Sequence, residues 1–337
     1  MIQTLVATLM WALVASLLIF RRKRTDRSVT YAALTIAIAM TLNVDGIYTV
    51  IDPLLGGTNI ATLIADALLM TGLFFLGRGV MKSGEYRPRL VRAAVSAPVL
   101  LIALLAITAS FLFIDRGTTT TRFMSDLGAQ PAAAVYSIIN FSYGALVIAT
   151  MHVLAARQYR HSAGIQRLPA ALLSLGSTFG VALCLTVIVM DIAHATGHLD
   201  LMHAIQAAAY DPLSVLTFLF LCAGFAVQPA IRRAQHHARL RHTIAYTAQL
   251  EPLWLRATRA RPGLSQADPL AANSEDPEGH LHRVIVEIRD AMIDPRITFA
   301  TSTDDRSLLE RAESHLVGSD SKLAMALPVP NVEERGS

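Results

Sequence analysis

Long apolar runs, each closed by a short polar or basic segment, follow one another along the first 227 residues of the chain. Seven can be marked, at roughly Met1–Phe20, Ser28–Ile51, Ile60–Gly77, Ala93–Ile114, Pro131–Ala156, Leu168–Ala195 and His203–Val227. Each is near or beyond the ~20 residues that carry an α-helix across ~30 Å of hydrocarbon. A helix also satisfies its own backbone groups there, which an isolated extended segment cannot do. The pattern predicts an all-α integral membrane protein with seven transmembrane helices over residues 1–230.

Beyond Val227 the pattern changes. IRRAQHHARLRHTIAYTAQLEPLW predicts a helix running on from the seventh span, and the turn-rich stretch PGLSQADPLAANSEDPEG, Pro262 to Gly279, predicts a linker. An amphipathic helix is expected from Leu281 to Met292, with Leu281, Ile285, Ile288 and Met292 on one face and Arg283, Glu287 and Asp290 outside it. A last helix is expected from about Asp304 to Val317, capped by Thr303 or Asp304 and stopped by Gly318. These elements make a small helical cytoplasmic domain over 231–317, with its linker near 262–280. Residues 318–337 are polar and proline-containing, and are expected to be a disordered tail. The apolar stripe, with Trp254, is either the core of this module or a docking face for a cytosolic protein or a second copy of the chain.

Composition and charge add orientation. The chain is 53% hydrophobic with a mean hydropathy of +0.46, which excludes an ordinary soluble protein. Basic residues crowd alternate loops: Arg21, Arg22, Lys23, Arg24 and Arg27; Arg78, Lys82, Arg87, Arg89 and Arg92; Arg157, Arg160 and Arg167; then Arg232, Arg233, Arg239 and Arg241. The opposite loops carry only Arg116 and Arg122. By the positive-inside rule the N-terminus is expected outside and the C-terminus in the cytoplasm. The first run has no basic residue before it and a basic cluster after it, so it reads as a retained span and not a cleaved signal.

Residues 1–230 hold 15 basic and 10 acidic residues and the remainder 14 and 15, so the net +4 is this topology signal and no nucleic-acid partner is implied. Arginine outnumbers lysine 26 to 3, which points to a GC-rich bacterial genome and hence a bacterial plasma membrane. Cys184 and Cys222 both lie within spans, where they read as small buried apolar residues.

The candidate chemistry is acidic. In LCLTVIVMDIAHATGH, Leu183 to His198, the residues Asp191, His194 and His198 stand at i, i+3 and i+7 on one helical face, although Gly197 is a stop signal before His198. Asp45 lies 7 residues before Asp52, Asp66 7 after Asn59, Asp191 6 before Gly197 and Asp211 8 after His203. At 1.5 Å per residue these offsets put the four acids ~9 to 12 Å below the outer ends of spans 2, 3, 6 and 7. Ionisable groups at such depth cost several kcal/mol unless they face protein, water or a partner. Either each acid is separately satisfied, or Asp45, Asp66, Asp191 and Asp211 share an outward-open pocket for a cation, proton or small cationic ligand, with His194 beside them. Asp191, His194 and His198 would be the ligands if a metal were held. No other cofactor is implied by any motif.

Other polar positions read as packing. Ser137, Asn140, Ser142, Tyr143 and Gly144 form a stripe that lets helices approach closely, and His152, near the inner end of its span, reads as interfacial and not catalytic. Tyr210, Asp211 and Pro212 mark a kink, since proline removes a donor and frees the Ala208 carbonyl. Gly77, Arg78 and Gly79 read as a helix exit, because no GxxxxGK[ST] phosphate loop occurs in the chain. His236, His237 and His242 lack a second ligand cluster and read as a solvated or lipid-facing run.

At LEPLWLRATRARPGL and LHRVIVEIRDAMIDPR the chain resembles an actinobacterial family of seven-span membrane proteins catalogued as candidate transporters. The family ends in a cytoplasmic domain of unknown function with a PLW segment and an RVIEIRD-like helix. Here these are Pro252, Leu253 and Trp254, then Arg283, Val284, Ile285, Glu287, Ile288, Arg289 and Asp290. The likeness extends to GGTNIATLIADALL and spans 5 and 6, and it brings no catalytic residues with it. Three functions stay open: a receptor-like or regulatory membrane protein, a transporter or cation- or proton-coupled carrier, and an intramembrane metal-dependent enzyme.

Overall fold

The apolar runs fold as helices, but not one run to one helix. A computed structural model of the chain describes residues 2–20, 28–83, 88–260, 276–296 and 298–324; among them there is no strand. The chain divides into two compact units, residues 1–232 and 233–337.

The first unit contains α1 (Ile2–Phe20), α2 (Ser28–Leu42), α3 (Asp45–Leu54), α4 (Ile60–Ser83), α5 (Arg89–Ala94), α6 (Ala97–Leu112), α7 (Phe123–Leu127), α8 (Pro131–His161), α9 (Arg167–Ala195), α10 (Leu199–Ile205) and the start of α11 (Asp211–Ala260). Among the described residues, five helical segments are long and apolar enough to cross a membrane: Ile2–Ile19, Ile60–Lys82, Pro131–His161, Gly164–Ala195 and Leu199–Ala260. A sixth appears if α2 and α3 are taken as one bent span. The chain is a multi-pass membrane protein of helical bundle type.

Three expected spans are interrupted. The run Ser28–Ile51 breaks at Asn43–Val44, where Val44 is extended (φ −76°, ψ 122°) and α3 turns 87° from α2. Asn43 and Asp45 are side chains that compete with the helical backbone for hydrogen bonds, which makes a break at TLNVDG cheap. The run Ala93–Ile114 breaks at Ser96, which is extended (φ −94°, ψ 150°) two residues before Pro98. It leaves α6 at 16 residues, with Leu101, Ile102, Leu105 and Leu112 exposed and only Ala103, Ile107 and Phe111 buried on the other side. In the last run, Gln206–Tyr210 forms a π turn directly before Asp211 and Pro212. That wide turn is the form the expected kink takes, since the Pro212 ring cannot accommodate a regular turn behind it.

Gly77, Arg78 and Gly79 are not a helix exit: α4 continues to Ser83. Their role is packing. A Cβ at Gly79 would stand 2.6 Å from Val29 Cγ2, and one at Gly72 would stand 2.4 Å from Ile36 Cγ1, so α2 lies against bare backbone of α4. The same device joins α9 to α11, where a Cβ at Gly176 would meet the Leu221 backbone nitrogen at 2.8 Å. Around these contacts Leu17, Ile36, Met70, Ile107, Tyr136 and Met151 form a continuous buried core.

The second unit is built from the later part of α11 with α12 (Pro277–Ile293) and α13 (Thr303–Ala324). Leu250, Leu253, Trp254, Ala257, Leu281, Val284, Ile285, Ile288, Leu309 and Ala312 make its core, with Met292 packed at the edge. Of the residues offered for docking, Trp254, Leu281, Ile285 and Ile288 are buried in this core, Leu281 and Ile288 at 0% exposure, and Met292 is half-buried. Trp254 Nε1 donates to Glu287 Oε2 at 2.6 Å, so the indole is satisfied inside the unit as well. The helix α12 starts four residues earlier than expected, at Pro277, with the Asp276 carboxylate accepting from Gly279 N. Ser302, and not Thr303 or Asp304, caps α13: Ser302 Oγ accepts from Asp305 N while Asp305 Oδ2 accepts from Ser302 N, a reciprocal box. Gly318 does not stop α13, which runs through it to Ala324. Most of the expected linker and of the expected tail, residues 262–275 and 325–337, lie outside the described residues, as does the basic cluster 21–27.

Arg289 holds Glu313 through two parallel bonds of 2.7 and 2.8 Å, and Arg256 holds Asp305 at 2.7 Å. The Arg289 guanidinium keeps the Glu313 carboxyl below its ordinary range, and the Ser302 amide, with Arg256, does the same for Asp305. A carboxyl depressed in the folded state stabilises the fold above its unfolded pKa and loses that contribution as pH falls through the folded value. Unit two is therefore expected to keep its full stability at neutral pH and to lose a little below about pH 4.5, by ~0.2–1 kcal/mol per surface pair, as read by acid-range melts of wild type against Glu313→Gln. Leu281→Ala is expected to cost ~2–5 kcal/mol, seen as lost hydrogen-exchange protection in α12 and α13 with α4 and α8 unchanged.

Candidate functional site

One end of the first unit is tied together by a buried acid that the sequence did not single out. Asp52, fully buried near the end of α3, accepts from Asn59 N and Ala61 N at 3.0 Å each and from Thr119 Oγ1 at 2.7 Å. The Ala61 amide belongs to the first turn of α4, where orphan donors and the helix dipole both favour a carboxylate. Asn59, also fully buried and in the left-handed region (φ 61°), donates Nδ2 to Arg116 O and Thr118 O. Its Oδ1 accepts from Tyr48 Oη and Thr120 N. This clasp fixes α3, the start of α4 and the loop before α7 at one end of the bundle.

Beneath it lies a cavity of about 680 Å³, lined by all five residues of the expected acidic pocket: Asp45, Asp66, Asp191, His194 and Asp211. They reach it differently. Asp66, on α4, accepts from Tyr136 Oη of α8 at 2.5 Å. Asp191, on α9, is 5% exposed and its Oδ2 has no hydrogen-bond partner. Asp211 sits where the π turn passes into α11, next to Tyr210, whose hydroxyl lies within electrostatic reach of Asp66, Asp191 and Asp211. His194 is buried against the turn after α7, where a Cβ at Gly128 would stand 2.6 Å from His194 Nδ1. No hydrogen bond among the described residues joins His194 to an acid.

Asp45 needs a correction. The depth count assumed a continuous second span, whereas Asp45 begins the turned helix α3 and is exposed. It lines the mouth and does not share the level of Asp66 and Asp191. The metal set is corrected too. Gly197, at φ 82°, ends α9 in a Schellman turn, with His198 N bonded to Ala193 O at 2.8 Å and Gly197 N to His194 O at 3.0 Å. His198 is thereby carried off the helical face, exposed, with Nδ1 against Thr196 Oγ1. No group of three His, Cys, Asp or Glu residues suited to a metal occurs among the described residues.

The loop contributes more than its length suggested. Thr120, Arg122, Phe123 and Ser125 all line the cavity, so the loop adds one basic residue to a lining with four acids. From the polar stripe of α8, Ser137 and Asn140 face the cavity, and Gly144 does as well. The Thr217 hydroxyl, in a side chain 3% exposed, has no hydrogen-bond partner, and the Ser137 hydroxyl, 2% exposed, lies beside the Asp191 carboxylate. His152 lies between α8 and α9, its Nδ1 3.2 Å from Ser174 O and from Thr178 Oγ1.

Residues 238–327 match the model of a family of unknown function (DUF6545). The match lies in the second unit and takes in Trp254 and all of α12, in keeping with the domain of unknown function expected there. It assigns no activity. No curated protein and no solved structure matches the chain.

The clasp is testable by itself. Asp52→Ala leaves two amides and a hydroxyl without their acceptor, at ~1–3 kcal/mol for each unsatisfied group. The expected result is a lower melting temperature with faster proteolysis between Arg116 and Arg122, whereas Asp45→Ala leaves both near wild type.

Proposed function

We propose that this is a receptor-like or regulatory membrane protein whose acidic cavity opens outward and binds a cation or small cationic ligand, with α11 carrying the effect to the cytoplasmic module. The observation that supports the reading is Asp191, a buried carboxylate facing the cavity with one oxygen unpartnered. An anion in such a place is costly unless something positive meets it or it holds a proton. Helix α11 begins at Asp211 in the cavity wall and continues without a break to Ala260, beyond Trp254 of the second core. A change in the turn at Gln206–Tyr210 therefore acts on a helix that is itself part of the module.

In this reading the membrane is a bacterial plasma membrane and the chain crosses it seven times, with α6 as the short fourth span. The basic loops favour an outer N-terminus and an inner C-terminus. Reporter fusions after Arg160 and Arg241 are expected to report cytoplasmic ends; an external signal from either overturns the orientation, and with it the outward opening.

A carrier is the second reading, favoured by one observation. Two helices break at the cavity, α2 at Asn43 and the last span at Gln206–Tyr210, and both breaks line it. Discontinuous helices of this sort bracket substrate sites in many transporters. Cation-dependent changes in hydrogen exchange over α12 and α13, without cation uptake into proteoliposomes, support the receptor reading; uptake lost in Asp191→Asn supports the carrier. In either case Asp66→Asn and Asp191→Asn are expected to weaken cation-dependent thermal stabilisation at least tenfold. If both variants keep the wild-type cation response, the acidic cavity is not the binding site.

A further inference from the structure

The cavity walls are graded in one direction. From its clasped end, α4 presents Asp66 and then Leu69 and Leu73, while α9, arriving from the other side, passes Leu183 and Val187 before Asp191. Helices α8 and α11 repeat the order, from Ser137 to Ile148 and from Thr217 to Phe225. The Asp66–Tyr136 bond and the contact of His194 with Gly128 place the polar ends of these helices together. The result is one space with an acidic mouth and an apolar floor.

A bare metal ion does not need such a space. Oxygen ligands hold hard cations at ~2–2.6 Å, which would leave most of about 680 Å³ and the whole apolar floor unused. The volume falls instead within the ~300–1,000 Å³ of pockets that take organic molecules. Four carboxylates against one guanidinium, Arg122, favour a positive guest. The unpartnered hydroxyl of Thr217 supplies a further acceptor for the hydrogens of its head.

We infer that the cavity binds an amphipathic organic monocation, its ammonium or guanidinium head between Asp66 and Asp191 and an apolar body of several carbons along Leu69, Leu73, Leu183 and Val187. This rests on the acidic-cavity reading above and names its ligand class. Gly144 supplies a probe of the floor. A Cβ there would meet Cys184 Sγ at 3.5 Å and Leu73 Cδ1 at 3.6 Å, ordinary contact distances, so Gly144→Leu fills the floor without a collision at Cβ. Leucine also suits a helix better than glycine.

The test uses the full-length protein in lipid nanodiscs, titrated with n-alkylammonium chlorides from methyl to hexyl, the matching n-alcohols, and sodium chloride, with binding read by calorimetry and thermal shift. Affinity is expected to rise about fourfold per methylene, to fall at least tenfold in Asp191→Asn, and to be absent for hexanol. Gly144→Leu, with an unchanged melting temperature in the absence of ligand, is expected to lose the gain from butyl to hexyl while binding methylammonium as before. Equal affinity for methyl- and hexylammonium, or stabilisation by sodium alone, overturns the organic-cation inference and leaves the acidic-cavity reading standing. Hexanol binding as tightly as hexylammonium, or no response to any cation, overturns both.

Discussion

The cavity depends on how one buried carboxylate is satisfied. Asp52 gathers donors from the turn after α3, from the first turn of α4 beside it, and from the loop that follows α6, 67 positions away. A charge at that depth is tolerated because every oxygen is met by an N–H or O–H and because a helix N-terminus points at it. Asn59 doubles the tie by using both ends of its amide against the same loop. These bonds tie the first part of the loop, Arg116 to Thr120, to α3 and α4, while Phe123 anchors its later part on Phe111 and Tyr136. The contrast with Asp191 is physical and not a matter of degree. One buried acid is fully bonded and holds the fold; the other keeps an unpartnered oxygen on a cavity wall.

Much of the helical architecture was legible because hydrophobic run length and helix length obey the same limit. The acids of α4, α9 and α11, singled out by counting along each span, line one cavity. Where the count failed, a helix was not straight. Asp45 lies past a break at Asn43–Val44 whose cue, two backbone-competing side chains around one valine, is weak by itself. His198 lies past a glycine whose stop signal was visible, and the positive φ of Gly197 shows that the stop prevailed over the periodicity. The role of Asp52 was not legible at all. Its partners stand up to 67 positions away, and nothing in local pattern announces a bond of that range.

The glycines of GRG were misread for a related reason. Glycine is a poor helix former, and at the end of an apolar run it reads as an exit. Inside a membrane, though, helices gain little from burying apolar groups against one another, since lipid is equally apolar. Close approach through small residues takes over that role. Val29 packed onto Gly79 and Ile36 onto Gly72 show the trade being made on α4, where loss of side-chain bulk lets α2 lie against the backbone. In a span, a glycine near the end of the run is therefore as much a sign of a neighbouring helix as of a terminus.

The stripe on α12 illustrates the opposite ambiguity. Leu281, Ile285 and Ile288 on one face say that something must cover them, since burial of each is worth ~1.5–3 kcal/mol, but periodicity does not say what. Helix α11 decides the matter by extending far enough to bring Leu250, Leu253 and Trp254 against them, with α13 closing the other side through Leu309 and Ala312. A helix that stopped with the apolar run at Val227 would have left the stripe bare, so the reach of α11 to Ala260 is what closes the module.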